Sequence, residues 1–206
     1  MATYILVHGG DRDGSIWADT AQLLQQQGHS VFCPSMSPVT RSTLQQNINE
    51  IVEVIQSSDL KNIILVGHSY GAMVITGVAE RLRDLIAFMV FVDSAIPESG
   101  KSLYELLAEY GFDYRSFGLT PDPACMEKLF FDTKYFAKMP KAYIHCLSSE
   151  FKDAIQPMYK HIVARAKADH WLYFSLDTVH GCMFTQPREL FTILAGVTCF
   201  VSSSER

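Results

Sequence analysis

No two cysteines of this chain stand in a C-x-x-C or Cys/His zinc spacing, and the five present (Cys33, Cys125, Cys146, Cys182 and Cys199) are odd in number and widely separated. That pattern argues against a disulfide framework or a zinc ribbon, and reduced thiols in a cytoplasmic protein are expected. No apolar run reaches membrane length. Met1 is followed almost at once by the strand-like run Tyr4 to Val7, without a basic leader or a cleavage pattern, so neither an anchor nor secretion is expected. Positive charge is also sparse: 17 Lys and Arg face 22 Asp and Glu, for a formal net charge of -5, and the basic residues form no stripe. Nucleic acid and anionic lipid are therefore not expected as partners. Without staples, the 206 residues must be held by their core, and that length suits one ordinary domain over 1–206. Nothing in the pattern decides between a monomer and a homodimer.

What is present is alternation. Short runs rich in β-branched and aromatic residues recur at Thr3 to Val7, Ser30 to Cys33, Asn62 to Val66, Ile86 to Val92, Ala142 to Cys146 and Trp171 to Ser175, separated by longer amphipathic stretches. This is the pattern of β-α-β units and a mostly parallel sheet. Ser42 with Gln45 reads as a capping box opening a helix whose Leu44, Ile48, Ile51, Val52 and Ile55 share one face. The preceding helix ends at Gly28, and the last begins near Pro187, with Leu190, Phe191, Leu194, Val197 and Val201 at helical spacing. From about 97 to 140 the alternation breaks into a stretch rich in Tyr, Phe, Gly and Pro with no convincing strand. We read it as a small helical cap inserted between two strands, where its aromatics either wall a ligand pocket or form a core of their own.

The strongest local signal is Gly67-His68-Ser69-Tyr70-Gly71, directly after the strand ending at Val66 and before the helix-compatible run Ala72 to Leu82. A G-x-S-x-G sequence between a strand and a helix places the serine on a tight turn that exposes its hydroxyl at a helix N-terminus. A serine hydroxyl is a poor nucleophile at neutral pH, so Ser69 has meaning only with a base and an oxyanion site. For the base, His180 lies in a loop between the last strand and the last helix, after the serine in chain order. The other histidines have plainer places: His29 and His170 at strand entrances, His161 on a helix and His145 within a strand. For the oxyanion, His8-Gly9-Gly10 follows the first strand, and the backbone N–H groups of Gly10 and Tyr70 are the expected donors. A plain tight turn is the alternative for Gly9-Gly10. A metal site on His8, His68 and His180 lacks a carboxylate and a suitable spacing.

With VHGG, GHSYGAM, FVDSAIPESG and HGCMFTQPREL in this order, the chain resembles the plant methyl esterase and hydroxynitrile lyase branch of the α/β hydrolases, especially its compact bacterial esterase-like members. The resemblance spans nearly the whole chain. It implies an α/β-hydrolase fold with a six-stranded, mostly parallel sheet flanked by helices, a small cap, and ester hydrolysis through an acyl-enzyme without a cofactor. The lyases of that branch carry a Thr in the first loop and a Lys after the catalytic His, where this chain has Gly9 and Gly181, so cyanohydrin cleavage is disfavoured. The Asp that many relatives carry after the strand preceding the last one is matched here by Ser149.

The expected activity is thus hydrolysis of a small carboxylic ester, and the alternative is a receptor-like binding protein that kept the pocket and lost turnover. The open question is the third member of a triad. Asp93 ends the strand Ile86 to Val92 at the edge where Ser69 and His180 are expected, and is the first choice. Glu150 and Asp153 follow the next strand and stay in range, while an Asp at position 93 could instead cap a turn.

Overall fold

The computed structural model describes residues 1–118, 120–169 and 171–204, and their side chains except those at 117, 153–156 and 201–204. His170 and the side chains of Asp153 and Val201 therefore lie outside the described residues.

The chain runs β1 (Thr3–Val7), α1 (Ala18–Gln26), β2 (Ser30–Phe32), α2 (Leu44–Ser57), β3 (Ile63–His68), α3 (Gly71–Arg81) and β4 (Ile86–Val92). Three short helices follow: α4 (Leu103–Glu109), α5 (Pro123–Met126) and α6 (Thr133–Lys138). The chain then continues through β5 (Lys141–Cys146), α7 (Lys152–Ala168), β6 (Leu172–Leu176), α8 (Cys182–Thr185) and α9 (Pro187–Ser204). All six strands pair in parallel in the order β2-β1-β3-β4-β5-β6. The six expected strands are all present, with ends shifted by at most two residues.

The strands are apolar at nearly every position because both faces of the sheet are covered. Alternation still sorts them. Ile5, Leu65, Met89, Phe91 and Tyr143 face the side packed by α2, α3, α7 and the segment between β4 and β5. Tyr4, Leu6, Ile64, Val66, Val90 and Ile144 face the side packed by α1, α8 and α9. On α9, Leu190, Leu194 and Val197 are fully buried, as their spacing requires.

One expected cap is corrected. Thr43, not Ser42, is the N-cap of α2, its hydroxyl accepting the Gln46 N–H at 3.1 Å. The tight turn at Pro38 takes Ser42 instead: its N–H and its hydroxyl both donate to the Pro38 carbonyl, at 3.0 and 2.9 Å. The Gln45 amide donates to Glu127, which reaches over from beyond α5.

The stretch from 97 to 140 holds α4, α5 and α6, a 3-10 turn at Tyr114–Phe117 and a single antiparallel bridge between Lys101 and Leu129. Its aromatics divide between the two expected roles. Phe136 sits in the core beside Phe91, whereas Tyr104 and Phe112 also wall a cavity above the sheet. Among the described residues no helix is long and apolar enough to cross a membrane.

Candidate active site

In a parallel sheet the carboxyl ends of all strands lie on one edge, so the loops that follow β1, β3, β4, β5 and β6 converge there. Those five loops carry Gly9-Gly10, Ser69, Asp93, Glu150 and His180. All of them border one cavity of about 810 Å³.

The turn after β3 is built on absent side chains. A methyl group at Gly67 would lie 2.6 Å from the Gly71 carbonyl oxygen, and one at Gly71 would lie 2.8 Å from the carbonyl oxygens of Val7 and His8. Between them Ser69 has φ 53°, the left-handed region that L-residues avoid, and its N–H donates to the Val92 carbonyl at 3.1 Å. Strain of this kind persists only where surrounding structure enforces it, and it clusters at functional sites. Gly67→Ala is expected to destabilise the fold by about 1–3 kcal/mol, since the contact it makes is with backbone that cannot turn aside. A denaturant midpoint equal to wild type would contradict that crowding.

The first loop packs directly on the serine: a methyl group at Gly9 would lie 3.0 Å from Ser69 Cβ. His8 is buried and uses both ring nitrogens, Nδ1 donating to the Gly9 carbonyl at 2.7 Å and Nε2 accepting the Met36 N–H at 2.9 Å. Burial lowers its pKa, consistent with a neutral ring. Because a trans peptide points its C=O and N–H in opposite directions, pinning the Gly9 carbonyl fixes where the Gly10 N–H points. Tyr70 sits at the N-terminus of α3 and is anchored by its hydroxyl, which donates to Asn47 Oδ1 at 2.9 Å. Among the described residues neither the Gly10 nor the Tyr70 amide is matched to an acceptor.

One carboxylate reaches the His180 ring. Asp93 Oδ2 accepts from His180 Nδ1 at 2.7 Å, with the Asp93 side chain fully buried and that of His180 21 % exposed. Asp93 also has a left-handed backbone, φ 43°, and its N–H donates to the Ile144 carbonyl at 2.8 Å. Its other oxygen accepts the Cys146 N–H at 3.1 Å and the Tyr159 hydroxyl at 3.2 Å. Glu150 meets the His180 backbone: its carboxylate accepts the His180 N–H at 3.1 Å.

Two residues that the sequence reading gave no role here complete the surroundings. His68 is buried beside His180, ring centroids 4.4 Å apart, and its Nε2 donates to the His180 carbonyl at 3.0 Å. Burial and the neighbouring His180 hold its pKa well below the usual imidazole range. Tyr159, on α7, lines the cavity as well as meeting Asp93. Among the described residues no cluster of His, Cys, Asp and Glu could hold a metal ion. His8 and His68 have their nitrogens turned to backbone groups and, for His68 Nδ1, to a buried spot without a partner.

Compared with known proteins, residues 4–191 match the profile of the alpha/beta hydrolase family. A carbendazim hydrolyzing esterase from Nocardioides sp. (strain SG-4G) is 41% identical over 115 residues, covering 52% of this chain and 48% of that protein. Methylesterase 8 of Arabidopsis thaliana is 29% identical over 108 residues, 48% of this chain and 40% of that protein. The aligned stretches thus span about half the length of these relatives or less. Among solved structures, an extracellular alpha/beta-hydrolase from a Paenibacillus species superposes with a TM-score of 0.72 at 21% identity, covering 95% of this chain and 98% of that one. At that identity the superposition speaks for the fold alone.

Proposed function

Because this chain belongs to the α/β-hydrolase family, we propose that it is a serine hydrolase of the branch that holds the plant methylesterases, cleaving a small carboxylic ester through an acyl-enzyme. The observation that carries this reading is the 2.7 Å bond between Asp93 and His180 on the wall of a cavity that Ser69 and the Gly9-Gly10 loop also border. A carboxylate can only accept, so Nδ1 of His180 holds the proton and Nε2 is left as the base.

In the proposed reaction Ser69 Oγ attacks the ester carbonyl while His180 Nε2 takes its proton. The Tyr70 amide, at the positive end of α3, and the Gly10 amide of the first loop stabilise the oxyanion. The alcohol leaves with the proton held by His180, and a water activated in the same way releases the acid. The segment between β4 and β5 acts as the cap. Leu103, Tyr104, Leu107 and Phe112 give the cavity an apolar and aromatic wall suited to an aryl or short acyl group. The name of the Nocardioides relative makes carbendazim a first compound to test, beside short-chain methyl esters and aryl esters. The odd number and wide spacing of the cysteines fit a cytoplasmic setting. No step of this chemistry calls for a cofactor.

Labelling with a fluorophosphonate separates this reading from a binding protein without turnover, since only an activated serine reacts quickly. Labelling at Ser69 is expected; a protein that folds, binds esters and does not label would return the binding reading. The pH dependence is a second check. A base must be neutral to accept the serine proton, so the proposed mechanism loses activity on acidification. kcat/KM is expected to fall about tenfold per pH step on the acid side, as for one ionisation. A rate that stays level to about pH 5 would contradict His180 as the base.

A further inference from the structure

We propose that Tyr159 is a positioning residue for the reaction, holding the Asp93 carboxylate against His180 through its hydroxyl, an inference that rests on the serine hydrolase reading above. Asp93 stands at the end of a strand on a single left-handed residue, so its carboxylate direction is fixed by what donates to it. Oδ2 is taken by His180. Oδ1 takes one donor from the backbone, the Cys146 N–H at 3.1 Å, and one from a side chain, the Tyr159 hydroxyl at 3.2 Å.

Tyr159 is itself held firmly. It is 2% exposed, its ring stacks on His145 at 4.2 Å between centroids, and it projects from α7, an element outside the sheet. Other nearby tyrosines are engaged elsewhere: the Tyr143 hydroxyl donates to the Ser94 carbonyl at 2.8 Å, and Tyr173 pairs with His145 Nδ1 at 2.7 Å. Burial and the Asp93 charge raise the Tyr159 phenol well above its usual range, so it remains a donor.

The titratable groups that feel the Asp93 charge are Tyr143, His145 and Cys146 from β5, Tyr159 from α7 and Tyr173 from β6, beside His180, which it meets directly. Of these, Tyr159 and His180 are the two whose side chains hydrogen-bond its carboxylate. A hydroxyl on Oδ1 draws charge away from the oxygen that His180 meets. Removing it concentrates charge toward His180, favours the imidazolium, and loosens the carboxylate.

The test is Tyr159→Phe, which keeps the ring and the cavity wall. kcat is expected to fall about five- to tenfold, the size of one ordinary lost hydrogen bond. KM should stay within about threefold, and the acid limb of kcat/KM should move to higher pH. An unchanged kcat and limb would overturn the proposal, as would a fall in kcat with the limb unmoved, which marks a wall residue only. Tyr159→Met, which also lacks the hydroxyl, should move the limb in the same direction, and it carries the test if Tyr159→Phe does not fold. An unmoved limb in a folded Tyr159→Met protein would then overturn the proposal. The downfield proton resonance of His180 Nδ1–H reads the same bond without turnover. If wild type neither labels nor hydrolyses esters, the proposed function fails, while a resonance that shifts in Tyr159→Phe still supports the positioning role and one that stays put still overturns it.

Discussion

Ser69→Ala is expected to lower kcat by about five to six orders of magnitude while leaving the fold intact. The size follows from what a nucleophile does. Removing the oxygen that forms the acyl-enzyme leaves only the oxyanion donors and substrate binding, which together retain modest catalysis over water. The fold should tolerate the change because Ser69 contributes its backbone, not its side chain, to the turn: its N–H donates to Val92, and the crowding is carried by Gly67 and Gly71. An alanine with φ near 53° is strained about as much as the serine it replaces. Ester turnover by the purified variant and its thermal midpoint are the two measurements. Residual activity within about tenfold of wild type, after exclusion of contaminating hydrolases, would end the serine mechanism.

How much of this was legible beforehand differs by element, and the difference is physical. The parallel sheet was readable because its central strands are buried on both faces and are written as apolar runs, as in Ile63 to Val66 and Phe88 to Val92. The elbow was readable because its glycines are demanded by backbone contacts that no side chain can satisfy. The convergence of Gly10, Ser69, Asp93 and His180 followed from topology, since all four lie after the carboxyl ends of parallel strands.

Tyr159 was not legible. Its helix α7 contains Pro157 in its interior and carries many charged and polar residues, so no clean amphipathic face announces it. That one tyrosine hydroxyl meets Asp93 depends on how α7 lies across β5, which is a tertiary fact. His68 was invisible for a related reason. Within the elbow pattern it occupies a position of unspecified residue type, and its role arises only when the loop after β6 brings the His180 carbonyl within 3.0 Å. The Thr43 cap was misplaced by one residue because Ser42 and Thr43 are equally able to cap. The turn at Pro38, not propensity, decides between them.

Asp93→Asn is expected to lower kcat by about a thousandfold to ten-thousandfold with little loss of stability. An asparagine is nearly the shape of an aspartate, and its carbonyl oxygen can keep accepting from the Cys146 N–H and the Tyr159 hydroxyl. In that orientation its amide nitrogen faces His180 Nδ1 at the place where a carboxylate oxygen stood, and two donors then meet. The imidazole can relieve the clash by moving its proton to Nε2, which puts a donor instead of a base toward Ser69. It also loses the negative charge that stabilises the imidazolium formed during attack. The same assay should include Glu150→Gln and Asp153→Asn. Glutamine at 150 retains an oxygen that can accept the His180 backbone N–H, so its activity should stay within a few-fold of wild type. The resemblance to relatives with an acid in the loop after β5 makes Asp153 the sharper control. If Asp93→Asn remains active while Glu150→Gln or Asp153→Asn is crippled, the bond between Asp93 and His180 is structural and the acid lies in that loop. If Asp93→Asn alone is crippled and its midpoint is unchanged, Ser149 stands where relatives place their acid because, in this chain, the carboxylate has been supplied from the end of β4.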